Sequence, residues 1–176
     1  DTMKITDIPA GTKAVILNTF FRDFVAAPGM AERYQSWKGA AFHYVSGSPW
    51  QLYGPLSEFL FSKEADFPEG TFHMKQLSTN LLSLDTWEDL KDFVSSENAT
   101  FDQKLTQITE IMQRFPERTF ILVGDSGEKD PEVYREVRKR FPNQVQEIII
   151  RDVVNDKAKN PARLAGMTII LVSPSN

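Results

Sequence analysis

Two aspartates that follow an apolar run are the first residues in this sequence whose types and spacing could do chemistry. Asp125 directly follows the run at 119–124, and Asp130 lies five positions further along. If the run forms a buried strand, a carboxylate at its carboxyl end suits a hard cation such as Mg²⁺, which takes oxygen ligands and usually brings phosphate with it. The structural alternative is that Asp125 only shapes the loop and Asp130 only caps the next helix.

A second candidate is the run of small residues Ser46, Gly47 and Ser48, which follows an apolar run ending at Val45. Hydroxyl and backbone N–H groups that converge where a helix begins can bind an anion such as phosphate. The alternative is an ordinary helix cap with a tight turn, which has the same composition.

Lys104 is the third candidate, because the periodicity predicts a helix at 101–115 that begins just before it. From there an ammonium group could reach over the strand ends and neutralise a phosphoryl group. Taken alone, a lysine at such a position is more typical of a solvated helix face.

The elements that must position these residues alternate along the chain. Apolar runs alternate with segments of helical periodicity, which predicts α/β units on a mostly parallel sheet. The predicted strands are 14–18, 40–46, 71–77, 119–124, 146–153 and 168–172, and the predicted helices are 29–38, 49–61, 101–115 and 131–141. In such a sheet the ligand crevice lies outside the carboxyl ends of the strands, where we expect Ser46 and Asp125.

Prolines mark two of the predicted helix starts. Pro49 follows Ser48 and Pro131 follows Asp130, so each proline is expected at the first helical position after a capping residue. The segment 78–100 is the least regular part of the chain and is interpreted as a cap-like insertion or a loop.

Composition narrows the function classes. The 176 residues carry 20 Lys+Arg and 24 Asp+Glu, a formal net charge of −4, which argues against nucleic acid as a partner. The absence of cysteine removes thiol nucleophiles and Cys-ligated zinc. The first residues have neither the basic nor the apolar region of a signal peptide, so we expect one soluble, cytoplasmic domain.

The spacing of the candidates resembles motifs II, III and IV of the haloacid dehalogenase-type phosphohydrolases, with Ser46, Lys104 and the Asp125–Asp130 pair at the matching places. More narrowly, the sequence resembles the catalytic domain of the actin-patch-type phosphatidate phosphatases, which are relatives of the lipins. The segments that carry this resemblance are FHYVSGSPW at 42–50, FHMK at 72–75, FILVGDSGEKD at 120–130, FPNQ at 141–144 and IRD at 150–152. It covers residues 1–153, leaves 154–176 as an extension, and implies one three-layer, Rossmann-like domain over 1–176 with helices on both faces of the sheet.

The first motif departs from the family pattern. In the family it reads Asp-Ile-Asp-Asp-Thr, with the phosphoryl-accepting nucleophile first and the general acid/base second. Asp1 and Thr2 match only the end of that motif. The resemblance therefore implies that the nucleophile, the acid/base and their central strand lie upstream of residue 1, and that the chain as written is inactive. As an alternative, the strand at 168–172 fills the central place.

The resemblance implies Mg²⁺-dependent hydrolysis of phosphatidate to diacylglycerol and phosphate through an aspartyl-phosphate. Asp125 would hold the Mg²⁺, and Asp130 would support the metal or its waters. Ser46 and Gly47 would bind phosphoryl oxygens, while Lys104 would offset the charge on the phosphate.

Two other functions stay open at this point. One is a non-catalytic phospholipid-binding module of the same fold, and the other is a phosphatase for a soluble phosphate ester. The aromatic-rich stretch at 50–61 and the basic flank at 135–140 are more typical of packed and solvated helix faces, but each could contact a peripheral membrane surface or anionic lipid. If such a contact exists, the protein would be associated with membranes or actin patches and would not be purely cytoplasmic.

Overall fold

The computed structural model describes residues 26–50, 53–75 and 97–172. These residues belong to two compact units, one within 3–96 and one within 97–176. Three features predicted from the sequence lie outside the described residues. They are the strand at 14–18, the first-motif residues Asp1 and Thr2, and residues 78–96 of the proposed insertion. The expectation of a single domain over the whole chain stays a prediction.

The described part of the first unit is a β-α-β arrangement preceded by a short helix. Its elements are α1 (Met30–Ser36), β1 (Phe42–Pro49), α2 (Tyr53–Leu60) and β2 (Gly70–Lys75). β1 and β2 pair in parallel. A parallel pair needs a crossover between its strands, and α2 with the loop behind it supplies the crossover. Leu56 and Leu60 of this helix are buried, as the amphipathic pattern predicts.

Gly70 allows the two strands of this unit to approach each other. A Cβ atom at position 70 would lie 2.6 Å from the carbonyl oxygen of Phe42 and 2.8 Å from the ring of Tyr44. The Tyr44 ring packs on Phe72 with 5.3 Å between the ring centroids, and its hydroxyl donates to the Pro68 carbonyl. The start of β2 therefore requires a residue without a side chain.

In the described residues, the second unit contains a three-stranded parallel sheet with helices between its strands. Its elements are α3 (Glu97–Arg114), β3 (Phe120–Asp125), α4 (Asp130–Arg140), β4 (Val145–Asp152), α5 (Asp156–Lys159), a 3₁₀ helix (Pro161–Leu164) and β5 (Thr168–Leu171). The strand order is β3-β4-β5, and both pairings are parallel. Together with the parallel pair of the first unit, these β-α units confirm the predicted α/β, Rossmann-like class.

The middle strand is the best buried part of this sheet. Ile148, Ile149 and Ile150 are buried side by side in β4, as expected for a strand covered on both faces. α4 packs on β3 and β4 through Val133 and Val137, both fully buried, and α3 packs against α4. The near-continuous apolar runs of the sequence therefore predicted the sheet core correctly.

Two predicted helix starts are wrong in detail. Pro49 ends β1 instead of opening a helix, and α2 begins at Tyr53. The reason is local, because proline biases the residue before it toward extended backbone, so Ser48 continues the strand. At the other site Asp130 is itself the first residue of α4, Lys129 holds the capping position, and no side chain makes a capping bond there.

The extension at 154–176 contributes to the second unit. Within it, β5 pairs with β4 on the side away from β3, so β5 is an edge strand among the described strands of this sheet. The alternative in which 168–172 becomes the central strand is therefore wrong. In the described residues no helix combines the length and the apolar character that crossing a bilayer requires.

Candidate functional site

Lys104 makes a buried ion pair at the ends of the strands. It is only 7% exposed, on the face of α3 that also buries Ile108 and Ile111. Its Nζ lies 2.6 Å from Oδ1 of Asp130 and 2.7 Å from Oε2 of Glu128. The interpretation that Lys104 lies on a solvated helix face is therefore wrong. The helix also begins earlier than predicted, so Lys104 lies two turns inside it and not at its start.

Asp130 connects three elements through its carboxylate. Oδ1 accepts a hydrogen bond from Lys104 on α3, and Oδ2 accepts one from the backbone N–H of Asp125 at 3.1 Å. Asp130 itself opens α4. Because both oxygens bind partners outside that helix, the interpretation of Asp130 as only a helix cap is wrong.

Asp125 is the last residue of β3 and is buried. Its Oδ1 accepts a hydrogen bond of 2.9 Å from the backbone N–H of Gly127, which closes the turn that leads out of the strand. Its register partner on β4 is Arg151, a buried residue whose positive charge acts on the Asp125 carboxylate. Asp125 therefore shapes the loop, and a role in metal binding is compatible with that task.

Negative charge accumulates around this ion pair. Burial raises the pKa of Asp130, and the nearby carboxylates of Asp125 and Glu128 raise it further, while Lys104 opposes the rise. Burial alone would lower the pKa of Lys104, but Asp130 and Glu128 outweigh this effect and keep it above its usual value. Lys104 is thus firmly charged, and the carboxylates around it exceed what one ammonium group neutralises.

Gly124 is required by the closeness of Asp130. A Cβ atom at position 124 would lie 2.5 Å from Oδ2 and 2.7 Å from Cβ of Asp130. Such distances are below any normal contact, and Asp130 is held on both oxygens, so it cannot simply turn away. The glycine before Asp125 therefore allows the second aspartate to approach the strand end.

We expect Gly124→Ala to lower the free energy of unfolding by about 1–3 kcal/mol, the usual cost of overpacking. The added methyl group must displace the Asp130 carboxylate and weaken its bonds to Lys104 and the Asp125 backbone. Urea unfolding of the two proteins measures the effect. Gly54→Ala is the matched control, because a Cβ atom there has open space. Equal stability of Gly124→Ala and the parent chain would contradict the close packing.

A second polar network supports the same loop and was not predicted from the sequence. Ser126 Oγ donates to Oδ1 of Asp152 at 2.8 Å and accepts from the backbone N–H of Val153 at 2.9 Å. The Asp152 carboxylate also accepts the backbone N–H groups of Asp156 and Lys157, both at 2.8 Å. These bonds keep the pKa of Asp152 low in spite of its burial. The IRD segment at 150–152 includes Asp152, but its spacing does not indicate a contact with Ser126.

Ser46 and Gly47 lie in β1 of the first unit. Val45 pairs with His73 and Pro49 with Lys75, so four steps along β1 correspond to two along β2, and the segment between them bulges from the ladder. Ser46 Oγ accepts the backbone N–H of Ser48 at 3.1 Å. The predicted helix N-terminus at this point is wrong, since the turn is a strand bulge, a device that commonly re-aims side chains beside active sites.

The second unit brings Lys104, Asp125 and Asp130 together, as the sequence predicted. Within 26–50, 53–75 and 97–172, no group of three His, Cys, Asp or Glu side chains is placed to hold a metal ion. Mg²⁺ does not need such a group, because it is usually bound through one or two carboxylates and completes its coordination with water and phosphate oxygens. The buried carboxylate of Asp125, in surroundings with excess negative charge, fits this requirement.

The parallel strands and the helices between them define a Rossmann-like α/β protein. Its charged site lies at the end of β3, where Asp125 is buried and Asp130 is bound to Lys104. A model of the family described as phosphatidate phosphatase APP1, catalytic domain, matches residues 1–152. The chain belongs to this family. The resemblance seen in the sequence is therefore confirmed, and the matched range ends with β4.

Two curated proteins are similar to this chain. Phosphatidate phosphatase APP1 of Saccharomyces cerevisiae is 34% identical over 167 residues, which cover 92% of this chain and 26% of the relative. An uncharacterized protein of Schizosaccharomyces pombe is 29% identical over 119 residues, which cover 66% of this chain and 17% of the relative. The chain thus spans about a quarter or less of the length of these relatives. No solved structure matches it significantly.

Proposed function

We propose that this chain is the catalytic domain of a Mg²⁺-dependent phosphatidate phosphatase, which converts phosphatidate to diacylglycerol and inorganic phosphate. The observation that carries the proposal is the buried Lys104–Asp130 pair behind Asp125, at the end of a parallel strand. All three residues lie within the range that the family model matches. The relative from Saccharomyces cerevisiae bears the name of this activity.

Mg²⁺ is the proposed cofactor, and Asp125 is its proposed protein ligand. Both carboxylate oxygens of Asp130 already accept hydrogen bonds, so Asp130 supports the site through Lys104 and through the backbone of Asp125. When bound, Mg²⁺ would polarise a phosphoryl oxygen of the substrate and offset its negative charge.

Lys104 is proposed to bind a phosphoryl oxygen of the substrate. An ammonium group has three donors, and Asp130 and Glu128 take two of them, which leaves one for a phosphoryl oxygen. For Ser46 and Gly47, the matching family motif supports a proposed contribution of a hydroxyl and a backbone N–H to phosphoryl binding. The proposed phosphoryl acceptor is an aspartate of the first family motif, whose end matches Asp1 and Thr2 outside the described residues.

A peripheral membrane surface is proposed beside the bulge. Trp50 and Tyr53 are 51% and 40% exposed, and their rings stack with centroids 4.9 Å apart. Exposed aromatic rings suit a lipid interface, and phosphatidate is a membrane lipid. The basic flank of α4 supports this less, since Arg138 donates to the Gly166 carbonyl and Arg140 to Glu136. We further propose that the protein is cytoplasmic and associates with membranes or actin patches through this surface.

The test is phosphate release from phosphatidate vesicles, with Mg²⁺ and with a chelator. It compares this chain with the intact polypeptide in which the chain occurs. Release that needs Mg²⁺ supports the proposed enzyme, and release by the intact polypeptide alone supports an incomplete first motif in the chain. Vesicle binding without release favours the lipid-binding module instead. Release of phosphate from a soluble phosphate monoester, but not from vesicles, favours a phosphatase for soluble phosphate esters.

A further inference from the structure

Arg163 binds the loop of the candidate metal site from outside the range that the family model matches. It lies in the 3₁₀ helix Pro161–Leu164, whereas the matched range ends at residue 152. Its side chain is only 17% exposed. A residue so far along the chain would not be assigned to this site from the family match alone.

The guanidinium group holds the backbone of the loop between Asp125 and Asp130. Nη1 donates to the carbonyl oxygen of Ser126 at 2.7 Å, and Nη2 donates to the carbonyl oxygen of Glu128. The loop has four residues, so two of its four carbonyl groups bind this one side chain. Their orientation determines the course of the backbone that carries both aspartates.

Two carboxylates hold the guanidinium group in place. Glu132 of α4 binds it in a bidentate manner, with Nε–Oε1 at 2.7 Å and Nη2–Oε2 at 3.0 Å. Asp156 of α5 accepts a further bond from Nη1. All five N–H donors of Arg163 are therefore used, and hydrogen bonding to Glu132 raises its pKa further above the usual value.

The loop is thereby fixed from two sides. On one side Lys104 binds Glu128 and Asp130, and Ser126 binds Asp152. On the other side Arg163 binds the carbonyl groups. A planar fork with five donors matches this set of acceptors, whereas a lysine has only three donors on a flexible stem.

We propose that Arg163 is a positioning residue, which holds the loop at 126–129 in the shape that lets Asp125 bind a divalent cation. The inference rests on the proposed Mg²⁺ site. It also means that the working unit of this site includes α5 and the 3₁₀ helix, beyond the range matched by the family.

The experiment measures cation binding directly, with Mn²⁺ as a spectroscopic probe in electron paramagnetic resonance and with Mg²⁺ as competitor. It uses the intact polypeptide and the variants Arg163→Lys and Arg163→Met. Arg140→Lys is the matched control, because Arg140 forms an exposed ion pair with Glu136 in the same unit. We expect the Arg163 variants to bind Mn²⁺ about 10–100-fold more weakly, as is typical when a partner of a metal ligand is lost. The control should bind as the parent does.

Phosphate release separates positioning from simple destabilisation. Measured well below the melting temperature of each variant, the rate in the Arg163 variants should return toward the parent value as Mg²⁺ is raised. A structural role alone would lower the rate without moving the Mg²⁺ concentration for half-maximal activity. Unchanged Mn²⁺ affinity in Arg163→Lys and Arg163→Met would overturn the inference about Arg163 and leave the proposed Mg²⁺ site intact. A parent protein that binds no divalent cation would overturn the proposed Mg²⁺ site as well.

Discussion

Asp125→Asn is expected to reduce Mg²⁺-dependent phosphate release from phosphatidate by at least about 10²–10³-fold, the usual cost of removing one electrostatic contact to a transferring group. Asparagine is nearly isosteric with aspartate. Its amide oxygen still accepts the backbone N–H of Gly127, so the turn after β3 is retained. The variant therefore removes the negative charge that Mg²⁺ requires while it leaves the loop in shape.

The control for this variant is Asp102→Asn, which neutralises an exposed carboxylate on α3. Asp102→Asn should unfold at nearly the parent temperature, and only Asp125→Asn should lose Mn²⁺ binding. Steady-state rates over a range of Mg²⁺ concentrations complete the measurement. Full activity in Asp125→Asn would remove Asp125 from the metal site and leave it only its role in the turn.

The strands of the second unit were predictable because their information is local. An apolar run long enough for a strand, bounded by turn residues, specifies β3, β4 and β5 without knowledge of their neighbours. The carboxyl end of β3 then followed from the rule for parallel sheets, and with it the place of Asp125. The start of α2 was missed because Pro49 is compatible with a first helical position and with a strand end alike.

The contacts of the site were less predictable because they join distant positions. Lys104 bonds to residues 24 and 26 positions away, and Arg163 to carbonyl groups 35 and 37 positions away. A lysine in a helical pattern is equally compatible with a solvated face, and only the packing of α3 on α4 decides its burial. Arg163 lies in a short segment without periodicity, so no pattern assigned it a partner.

Lys104→Met is expected to lower the free energy of unfolding by about 3–5 kcal/mol, because it leaves the buried carboxylate of Asp130 without its cation. Without Lys104 the pKa of Asp130 should rise further, since the cation that opposes the effects of burial and of the neighbouring carboxylates is then lost. A carboxyl group whose pKa is raised by folding stabilises the protein at low pH and loses this effect as pH rises. The cost should therefore be smaller at pH 5 than at pH 8, which urea unfolding at both values measures.

The double variant Lys104→Met/Asp130→Asn tests whether the pair acts as a unit. Its loss of stability should be clearly smaller than the sum of the two single losses, because neither charge is then left buried alone. Phosphate release should nevertheless remain low in both variants that carry Lys104→Met, since a neutral side chain at position 104 cannot offset the charge of a phosphoryl group. Additive losses of stability would show that the two side chains are not coupled. Recovery of phosphate release together with stability would show that Lys104 serves the fold alone, and that its proposed contact with phosphate is wrong.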